Sequence, residues 1–233
     1  ACETLGVSAE APVLVVKELD SEVFIGGAAV VASHIRQLGG YCEFVSVIGN
    51  DNQKNNITDF LDKQSIKSTL LIDKTRPTTY KKRYMVENQK LFRVSKLEDH
   101  PLENELEEKL IKSLREKIPN FSGVVISDFN YGVITERVLK EINKIANKNK
   151  VKVFADSQSS SQIGYINKFK NITLICPNEK EARLSLKNKT SGIEHIAMQL
   201  FKECNPKYLI ITLGSQGFIS YLRDANKKII NQY

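Results

Sequence analysis

The sequence predicts an α/β protein in which a mainly parallel sheet is flanked by helices and a smaller β-sheet lies apart from it. Three observations lead to this fold class. Apolar strands alternate with amphipathic helices, and these strands are continuously apolar, which is typical of a parallel sheet covered on both faces. Other strands have one polar face and indicate the smaller sheet. The apolar strands are predicted at 42–48, 123–127, 152–155, 172–176 and 208–212, with a last strand at 217–222.

The helices are recognised by their ends as well as by their periodicity. Gly26-Gly27 begins the first helix and Gly39-Gly40 ends it, because glycine adopts the backbone conformations needed at helix termini. Most of the other helices follow an apolar strand, as the crossover connections of a parallel sheet require. The predicted helices span 26–38, 52–64, 102–117, 135–148, 178–186 and 192–203.

The smaller sheet is predicted from strands at about 11–25 and 76–95. In the run 78–86 (TTYKKRYMV), polar and apolar side chains are distributed over both sides of a strand, and 91–95 can pair with it across a turn at 87–90. Two shorter strands are predicted before them, at 13–17 and 22–25.

Composition excludes several classes of protein. Lys plus Arg number 34 and Asp plus Glu 27, so the net charge is +7, but the lysines are scattered among glutamates. Because no basic cluster is interleaved with aromatic residues, we expect no nucleic-acid partner; phosphorylated metabolites are the second explanation of the charge. No apolar run approaches the roughly 18 residues of a membrane span, so we expect no membrane partner.

The four cysteines are far apart in the sequence and form no Cys-x-x-Cys pair. A zinc site or a disulfide framework is therefore not expected, and reduced thiols in a cytoplasmic protein are the simpler interpretation. The cysteines are Cys2, Cys42, Cys176 and Cys204.

Polar residues follow four of the apolar strands. Ligands of parallel sheets bind at the carboxyl ends of the strands, so these residues are candidates for a site. Asp128 or Asp156 alone would be read as a turn or helix-capping residue. Asn178 and Glu181 have the spacing of a capping box, and the Gly-containing turn at 213–217 fits a plain β-hairpin, so each feature also has a purely structural explanation.

In this order, the pieces resemble the PfkB, or ribokinase-like, carbohydrate kinases over nearly the whole chain. Three stretches (SAEAPV, TTYKKRYMVENQKLFRVS and SDFNYG) are most similar to bacterial heptose-7-phosphate kinases. The matching motifs are Gly26-Gly27-Ala28-Ala29-x-x-Ala32, Val47-x-Gly49-x-Asp51, Pro77-Thr78-Thr79-x-Lys81-x-Arg83, Ser127-Asp128-Phe129-x-x-Gly132, Pro177-Asn178-x-x-Glu181-Ala182 and Thr212-x-Gly214-x-x-Gly217.

The resemblance implies a ribokinase-like fold in which the sugar binds between the main sheet and the small sheet, which we call the lid. It implies ATP and Mg²⁺ as cofactors, with Glu181 acting on the metal through water. The implied substrate-binding residues are Gly26, Gly27, Lys81, Arg93 and Asp128, although Lys81 and Arg93 are equally well explained as lid-surface residues. The implied cofactor-binding residues are Asn178, Glu181, Thr212, Gly214, Ser215 and Gly217.

The sequence also departs from the family pattern. Val30 replaces an Asn, and Gln158 stands where heptose kinases have the Lys of Asp-Pro-Lys. Nothing after Gly217 matches the family's Gly-Ala-Gly-Asp motif, whose Asp is the general base, and no opening strand with a sugar-binding Asp is found. We therefore expect a single partial kinase domain over residues 1–233, truncated at both ends and without a catalytic residue of its own.

The function that the resemblance implies is phosphorylation of a sugar or sugar phosphate by ATP. The preferred substrate is D-glycero-D-manno-heptose 7-phosphate, phosphorylated at its anomeric hydroxyl. Two alternatives remain: a kinase of another small alcohol, such as a fructose phosphate or a nucleoside, or a non-catalytic fragment that binds ligands or only dimerises. Exposed lid strands also predict a homodimer, because unpaired sheet edges favour pairing.

Overall fold

The computed structural model describes residues 1–158, 164–223 and 229–232. The chain divides into two compact units, Ala1–Glu98 and Asp99–Tyr233, each of which combines strands with helices. The predicted α/β class is therefore correct, whereas the prediction that 1–233 is a single domain stays a prediction.

The first unit consists of two sheets and two helices. In chain order its elements are β1 (Cys2–Val7), β2 (Leu14–Glu18), α1 (Ala28–Gln37), β3 (Glu43–Gly49), α2 (Gln53–Lys63), β4 (Lys67–Asp73), β5 (Tyr80–Val86) and β6 (Gln89–Lys96). The lid is a four-stranded sheet in the order β2-β1-β5-β6, and β3 and β4 form a separate parallel pair. Buried side chains of α1 and α2 pack with Ile66 into the core of this unit; they are Ala29, Ala32 and Leu61.

The second unit contains the main sheet. Its elements are α3 (Asn104–Lys117), β7 (Gly123–Asp128), α4 (Glu136–Asn149), β8 (Lys152–Ser157), β9 (Leu174–Ile175), α5 (Glu179–Ser185), α6 (Ile193–Cys204), β10 (Tyr208–Thr212), β11 (Phe218–Arg223) and β12 (Ile229–Gln232). The strand order is β12-β11-β10-β9-β8-β7. Strands β7 to β10 pair in parallel, and β11 and β12 extend the sheet in antiparallel pairing.

Helix α4 shows how the sequence specifies this unit. The Thr135 hydroxyl accepts a hydrogen bond from the Val138 amide at 3.1 Å, which caps the first turn, and Lys150 ends the helix in the left-handed conformation. Apolar residues at helical spacing form the buried face of α4, which packs on β8. Each fully buried Val, Leu or Ile contributes about 1.5–3 kcal/mol relative to an exposed one. The buried residues of α4 are Val138, Leu139, Ile142, Ile145 and Ala146.

Hydrogen bonds connect three motif residues of the first unit. The Thr78 amide donates to Asp51 Oδ2 at 2.8 Å, and the Gly49 amide donates to Thr78 Oγ1 at 3.0 Å. A Cβ on Gly49 would overlap the backbone of Thr78, which explains why this position is glycine. Although burial opposes it, hydrogen bonding from Thr78 and Gln53 lowers the pKa of Asp51. These motif residues therefore hold the end of β3 to the segment that leads into β5.

The lid differs from the prediction in two places. The predicted strand at 22–25 is not formed; the segment is irregular, and Val23 and Phe24 are exposed, because the two glycines that follow begin α1 and leave too short a run. The sequence reading also missed β1, which lies between β2 and β5. Its residues, CETLGV, lack a clear alternation, and a bulge interrupts its pairing between Thr4 and Gly6. Strands β4 and β12 were likewise not predicted.

Among the described residues, no helix combines the length and the hydropathy that crossing a membrane requires.

Gly132, in the loop after β7, is predicted to be essential for the stability of the second unit. Its φ is 77°, and a Cβ would overlap the backbone carbonyl of His100, while its own carbonyl accepts from the Leu102 amide at 3.2 Å. We expect Gly132→Ala to lower the free energy of unfolding by about 2–4 kcal/mol, from backbone strain and displacement of this loop. Urea denaturation measures the loss.

Gly192→Ala is the matched control for that measurement. Gly192 lies in the same unit, its φ is −60°, and a Cβ there would meet nothing within 4 Å. Its substitution should cost about 1 kcal/mol or less, as at other helix N-caps. Equal losses in the two variants would contradict the steric explanation.

Candidate functional site

The ends of four parallel strands bring polar residues to one edge of the main sheet. Register places Asp128 beside Ser157 at the ends of β7 and β8, and a backbone bridge joins Asn178, which follows β9, to Thr212, the last residue of β10. Carboxyl ends of neighbouring parallel strands meet at the same edge, so the candidates from these four loops converge. We call this region the carboxyl edge.

Asp128 is 4% exposed, and both of its carboxylate oxygens have partners. Oδ1 accepts from the Asn130 amide at 2.8 Å, and Oδ2 accepts from the Lys168 ammonium. Lys168 was not singled out from the sequence. It is 40 residues away along the chain, so no local pattern indicated it.

Asn178 and Glu181 form the capping box that their spacing predicted. Asn178 Oδ1 accepts from the Glu181 amide at 2.9 Å, and Glu181 Oε2 accepts from the Asn178 amide at 2.9 Å. These two bonds satisfy backbone donors at the start of α5, so the structural explanation of the motif is correct. The same box fixes a buried carboxylate at the carboxyl edge, so it does not exclude a binding role.

Asp156, near the end of β8, is a residue that the sequence analysis noticed but left out of the site. Burial, and then the charges of Glu181 and Asp128, raise the pKa of Asp156 to about 6, against a hydrogen bond from the Ser157 amide that lowers it. The charges that act on Asp156 thus come from two residues of other strand-end loops. Burial and the charges of Asp156 and Glu181 also raise the pKa of the Cys176 thiol. The position of Asp156 at the end of a predicted strand was the one feature of the sequence that could have assigned it to the site.

The turn between β10 and β11 is the predicted hairpin turn. The Leu213 amide donates to the Gly217 carbonyl at 2.8 Å, and the intervening residues form one turn of 3₁₀-helix. Gly214 and Gly217 have φ of 65° and 92°, and a Cβ on either would meet nothing within 4 Å. The space above the two glycines leaves room for a ligand close to the backbone, and Ser215, between them, is exposed.

A cavity of about 800 Å³ opens beside α5 and this turn. Glu179 and Arg183 both line it and neutralise each other, with Arg183 Nε and Nη2 at 2.8 and 2.7 Å from Glu179 Oε1. Its remaining charged residues are lysines, so its wall is positive. The lining residues are Tyr165, Asn178, Glu179, Lys180, Arg183, Leu184, Lys187, Lys189, Thr212, Leu213 and Gly214.

The other predicted substrate residues belong to the first unit. Gly27 is the N-cap of α1, and its φ of 62° and ψ of −141° suit only glycine; a Cβ on Gly26 would meet nothing within 4 Å. In the lid, Arg83 pairs directly with Arg93, so Lys81, two residues before Arg83, shares their face of the sheet. The predicted Lys81 and Arg93 thus lie on one face, together with Arg83.

No group of three or more His, Cys, Asp or Glu side chains in the described parts of the chain is arranged to hold a metal ion directly. Mg²⁺ keeps several waters when bound and is usually held by one or two carboxylates, so a role of Glu181 toward it would not require such a group.

Asp156 should make the stability of the protein depend on pH. Its pKa of about 6 in the folded state exceeds the roughly 3.9 of an unfolded Asp, so folding takes up a proton between these values. The stabilisation from protonated Asp156 is complete below about pH 4 and lost as the pH rises through 6. We expect Asp156→Asn to raise the free energy of unfolding relative to the original protein at pH 7 more than at pH 4.

Urea denaturation at several pH values compares the two proteins. Glu116→Gln, which changes an exposed carboxylate on α3, is the control. It should change the free energy of unfolding by the same amount at pH 4 and at pH 7. Parallel stability curves for the original protein and Asp156→Asn would contradict the prediction.

Comparisons with known proteins identify relatives of this chain. The chain is 33% identical over 238 residues to the bifunctional protein HldE of Campylobacter jejuni (strain RM1221), with 100% of this chain and 49% of the relative covered. It is 32% identical over 216 residues to the bifunctional protein HldE of Aliarcobacter butzleri, with 91% and 44% covered. The chain thus spans about half the length of the curated relatives it matches.

Solved structures show the fold. The phosphofructokinase-2 of Escherichia coli in complex with fructose-6-phosphate superposes with a TM-score of 0.71 at 19% identity, covering 99% of this chain and 74% of that one. The ribokinase of Giardia lamblia superposes with a TM-score of 0.66 at 16% identity, covering 87% and 66%. The fold is therefore ribokinase-like. The sequence profile of the pfkB family carbohydrate kinases matches residues 5–232, and the chain belongs to this family.

Proposed function

We propose that this chain is the nucleotide- and sugar-binding part of a cytoplasmic kinase that transfers the γ-phosphoryl group of ATP to a sugar phosphate. One observation is central. Asn178, Thr212 and Gly214, each expected from the sequence to bind the nucleotide, line a single cavity whose uncompensated charge is positive. A polyphosphate is the ligand that such a wall favours. Family membership supports the same assignment.

The roles of the site residues follow from their positions. Gly214 and Gly217 leave space for the nucleotide close to the turn, with Ser215 between them, and Asn178 and Thr212 are held side by side by their backbone bridge. Mg²⁺, when bound, would neutralise phosphate charge and orient the γ-phosphoryl group. Glu181 fits an outer position toward hydrated Mg²⁺, because its carboxylate is fixed and buried by the capping box.

The preferred acceptor is D-glycero-D-manno-heptose 7-phosphate, phosphorylated at its anomeric hydroxyl. It is supported by the similarity to bifunctional HldE proteins, and the arginines and lysine on one face of the lid offer cations for a phosphate already on the sugar. Gly26 and Gly27 would bring backbone groups to the sugar hydroxyls. We assign no general base among the described residues.

A second candidate is a kinase of another small alcohol, such as a fructose phosphate or a nucleoside. It is motivated by Val30, whose side chain can make no hydrogen bond in the first turn of α1, where the family pattern has an Asn. One panel decides between the two: ADP release by the protein at its natural length, with heptose 7-phosphate, fructose 6-phosphate and nucleosides, with and without Mg²⁺. Absence of acceptor-dependent turnover across the panel would favour a non-catalytic binding role.

Nucleotide binding should depend on the lysines of the cavity. We expect the double variant Lys187→Gln/Lys189→Gln to weaken ATP binding about 5- to 30-fold at low salt, because two charge-assisted contacts to phosphate are lost, and the difference should shrink at high salt. Calorimetric titration of this chain with ATP measures the Kd.

Lys202→Gln is the control for charge alone, since Lys202 is an exposed residue of α6 that does not line the cavity. It should bind ATP as the original protein does. Equal weakening in both proteins would mean that net charge, rather than the cavity, determines the affinity.

The lid is proposed to form a homodimer. Strands β2 and β6 are its edges, and β6 exposes Phe92 and Val94 at 45% and 53%. Apolar residues on an open sheet edge favour pairing with a second copy. Light scattering at micromolar concentration should give twice the chain mass, and Val94→Asp should shift the protein toward monomer. A monomeric original protein would refute this proposal.

A further inference from the structure

Lys168 is the cation at the carboxyl edge that the proposed function does not yet use. It ends a turn of 3₁₀-helix formed by Ile166–Lys168. Its ammonium contacts Asp128 Oδ2 and lies 2.8 Å from Asn130 Oδ1. The Lys168 side chain is 26% exposed, whereas that of Asp128 is 4% exposed. The ammonium is thus held from the protein side, and the side chain still reaches solvent.

The position of the ammonium is fixed by contacts on two sides. The side-chain nitrogen of Asn130, Nδ2, donates to Ser157 Oγ at 3.2 Å and to the Gln158 carbonyl at 3.0 Å. The side-chain oxygen Oδ1 is therefore directed at Lys168. Asn130 itself has a φ of 59°, one of the left-handed conformations that Asn tolerates better than most residues. A lysine ammonium has three N–H donors. Asp128 and Asn130 accept from this ammonium and the Phe169 ring centroid lies 5.3 Å from it, so a ligand would approach from the solvent side, where the side chain is 26% exposed.

The charges at the carboxyl edge indicate what this ammonium could bind. The carboxylates of Asp128 and Glu181 are buried at this edge, and Asp156 is the next-to-last residue of β8, so the edge carries several negative groups. A phosphoryl group that approached these carboxylates would be repelled unless a cation accompanied it. Lys168 supplies such a cation, because its ammonium contacts Asp128, the last residue of β7.

We propose that Lys168 contacts a phosphate oxygen of a substrate at the carboxyl edge, bridging it to Asp128. This inference rests on the proposed kinase function. The shared chemistry is a phosphate monoester or the terminal phosphate of a nucleotide, and the experiment distinguishes the two sources. Asp128, which accepts from both the Asn130 backbone amide and Lys168, then acts as a positioning residue for Lys168.

The first test needs no turnover. Titration of this chain, labelled at lysine side chains, with inorganic phosphate, with fructose 6-phosphate and with ATP is followed by NMR of the ammonium groups. We expect the Lys168 signal to shift with inorganic phosphate. It should also shift with whichever of fructose 6-phosphate and ATP places its phosphate at Lys168. Lys170 is the internal control, because it lies two residues away and its Nζ is held by the Glu203 carbonyl at 2.7 Å. A Lys168 signal that none of the three ligands shifts would overturn the proposal.

The second test uses kinetics of the protein at its natural length. Lys168→Met should lower kcat/KM about 10- to 100-fold, the effect of losing one charge-assisted hydrogen bond to phosphate. An increase confined to the KM of the sugar phosphate assigns the monoester, and a change in kcat or in the KM of ATP assigns the nucleotide phosphate. Lys168→Arg should recover part of the loss, and Lys170→Met should stay within about twofold of the original protein.

The two tests separate the inference from the proposed function. A shift of the Lys168 signal without kinase activity would retain the phosphate contact and reject the kinase. Kinase activity that Lys168→Met leaves unchanged would reject the inference alone and leave Lys168 as a structural partner of Asp128. If Lys168→Met does not fold, the titration of the original protein and the kinetics of Lys168→Arg decide.

Discussion

The parallel pairing of β7 to β10 is the constraint on which the rest of the second unit depends. Parallel strands need a return path, so each is followed by a loop that begins at the same edge of the sheet. That geometry alone brings together Asp128, Asp156, Asn178 and Thr212 from segments spread over 85 positions of the sequence. It also makes the edge acidic, because several of these loops begin with carboxylates in a partly dry environment.

The acidity of the edge is balanced in two different ways. At Asp128 the balance is local, through direct contact with one lysine. Beside α5 it is collective, because a wall of lysines lines a cavity that reaches Asn178, Thr212 and Gly214. A phosphate group would be attracted by the cations of either region, whereas a neutral ligand would gain from neither. The arrangement of charge is thus more informative about the ligand class than the net charge of +7.

Much of the fold could be predicted from local patterns, and the failures have physical causes. Strand β10 is formed over the residues predicted, and α4 within a residue at each end, because a capping threonine and a regular apolar period specify it. The segment 22–25 failed because strand propensity in so short a run yields to the glycines that begin α1. Strand β9 is formed over only two of the predicted residues, because only Leu174 and Ile175 pair with β8 and β10.

The site, like the fold, was predictable where its features are local in sequence. The capping box and the glycine turn are local and were predicted, each with its structural explanation. Lys168 was not found because its partner lies 40 residues away, and the interaction of Asp156 with Glu181 and Asp128 exists only once the strands are aligned. Local patterns indicate which loops matter, but pairings between loops require the structure.

The capping box of α5 has a consequence for the dynamics of the site. Asn178 Oδ1 and Glu181 Oε2 each accept from the backbone amide of the other residue, so a ligand that bound either oxygen would compete with helix capping. A ligand that took either oxygen would leave an amide of the first turn unsatisfied, unless the ligand itself accepted from that amide. Hydrogen exchange of the Asn178 and Glu181 amides would then report occupancy of the site. Of these two residues Asn178 lines the cavity, so its amide is the more direct reporter.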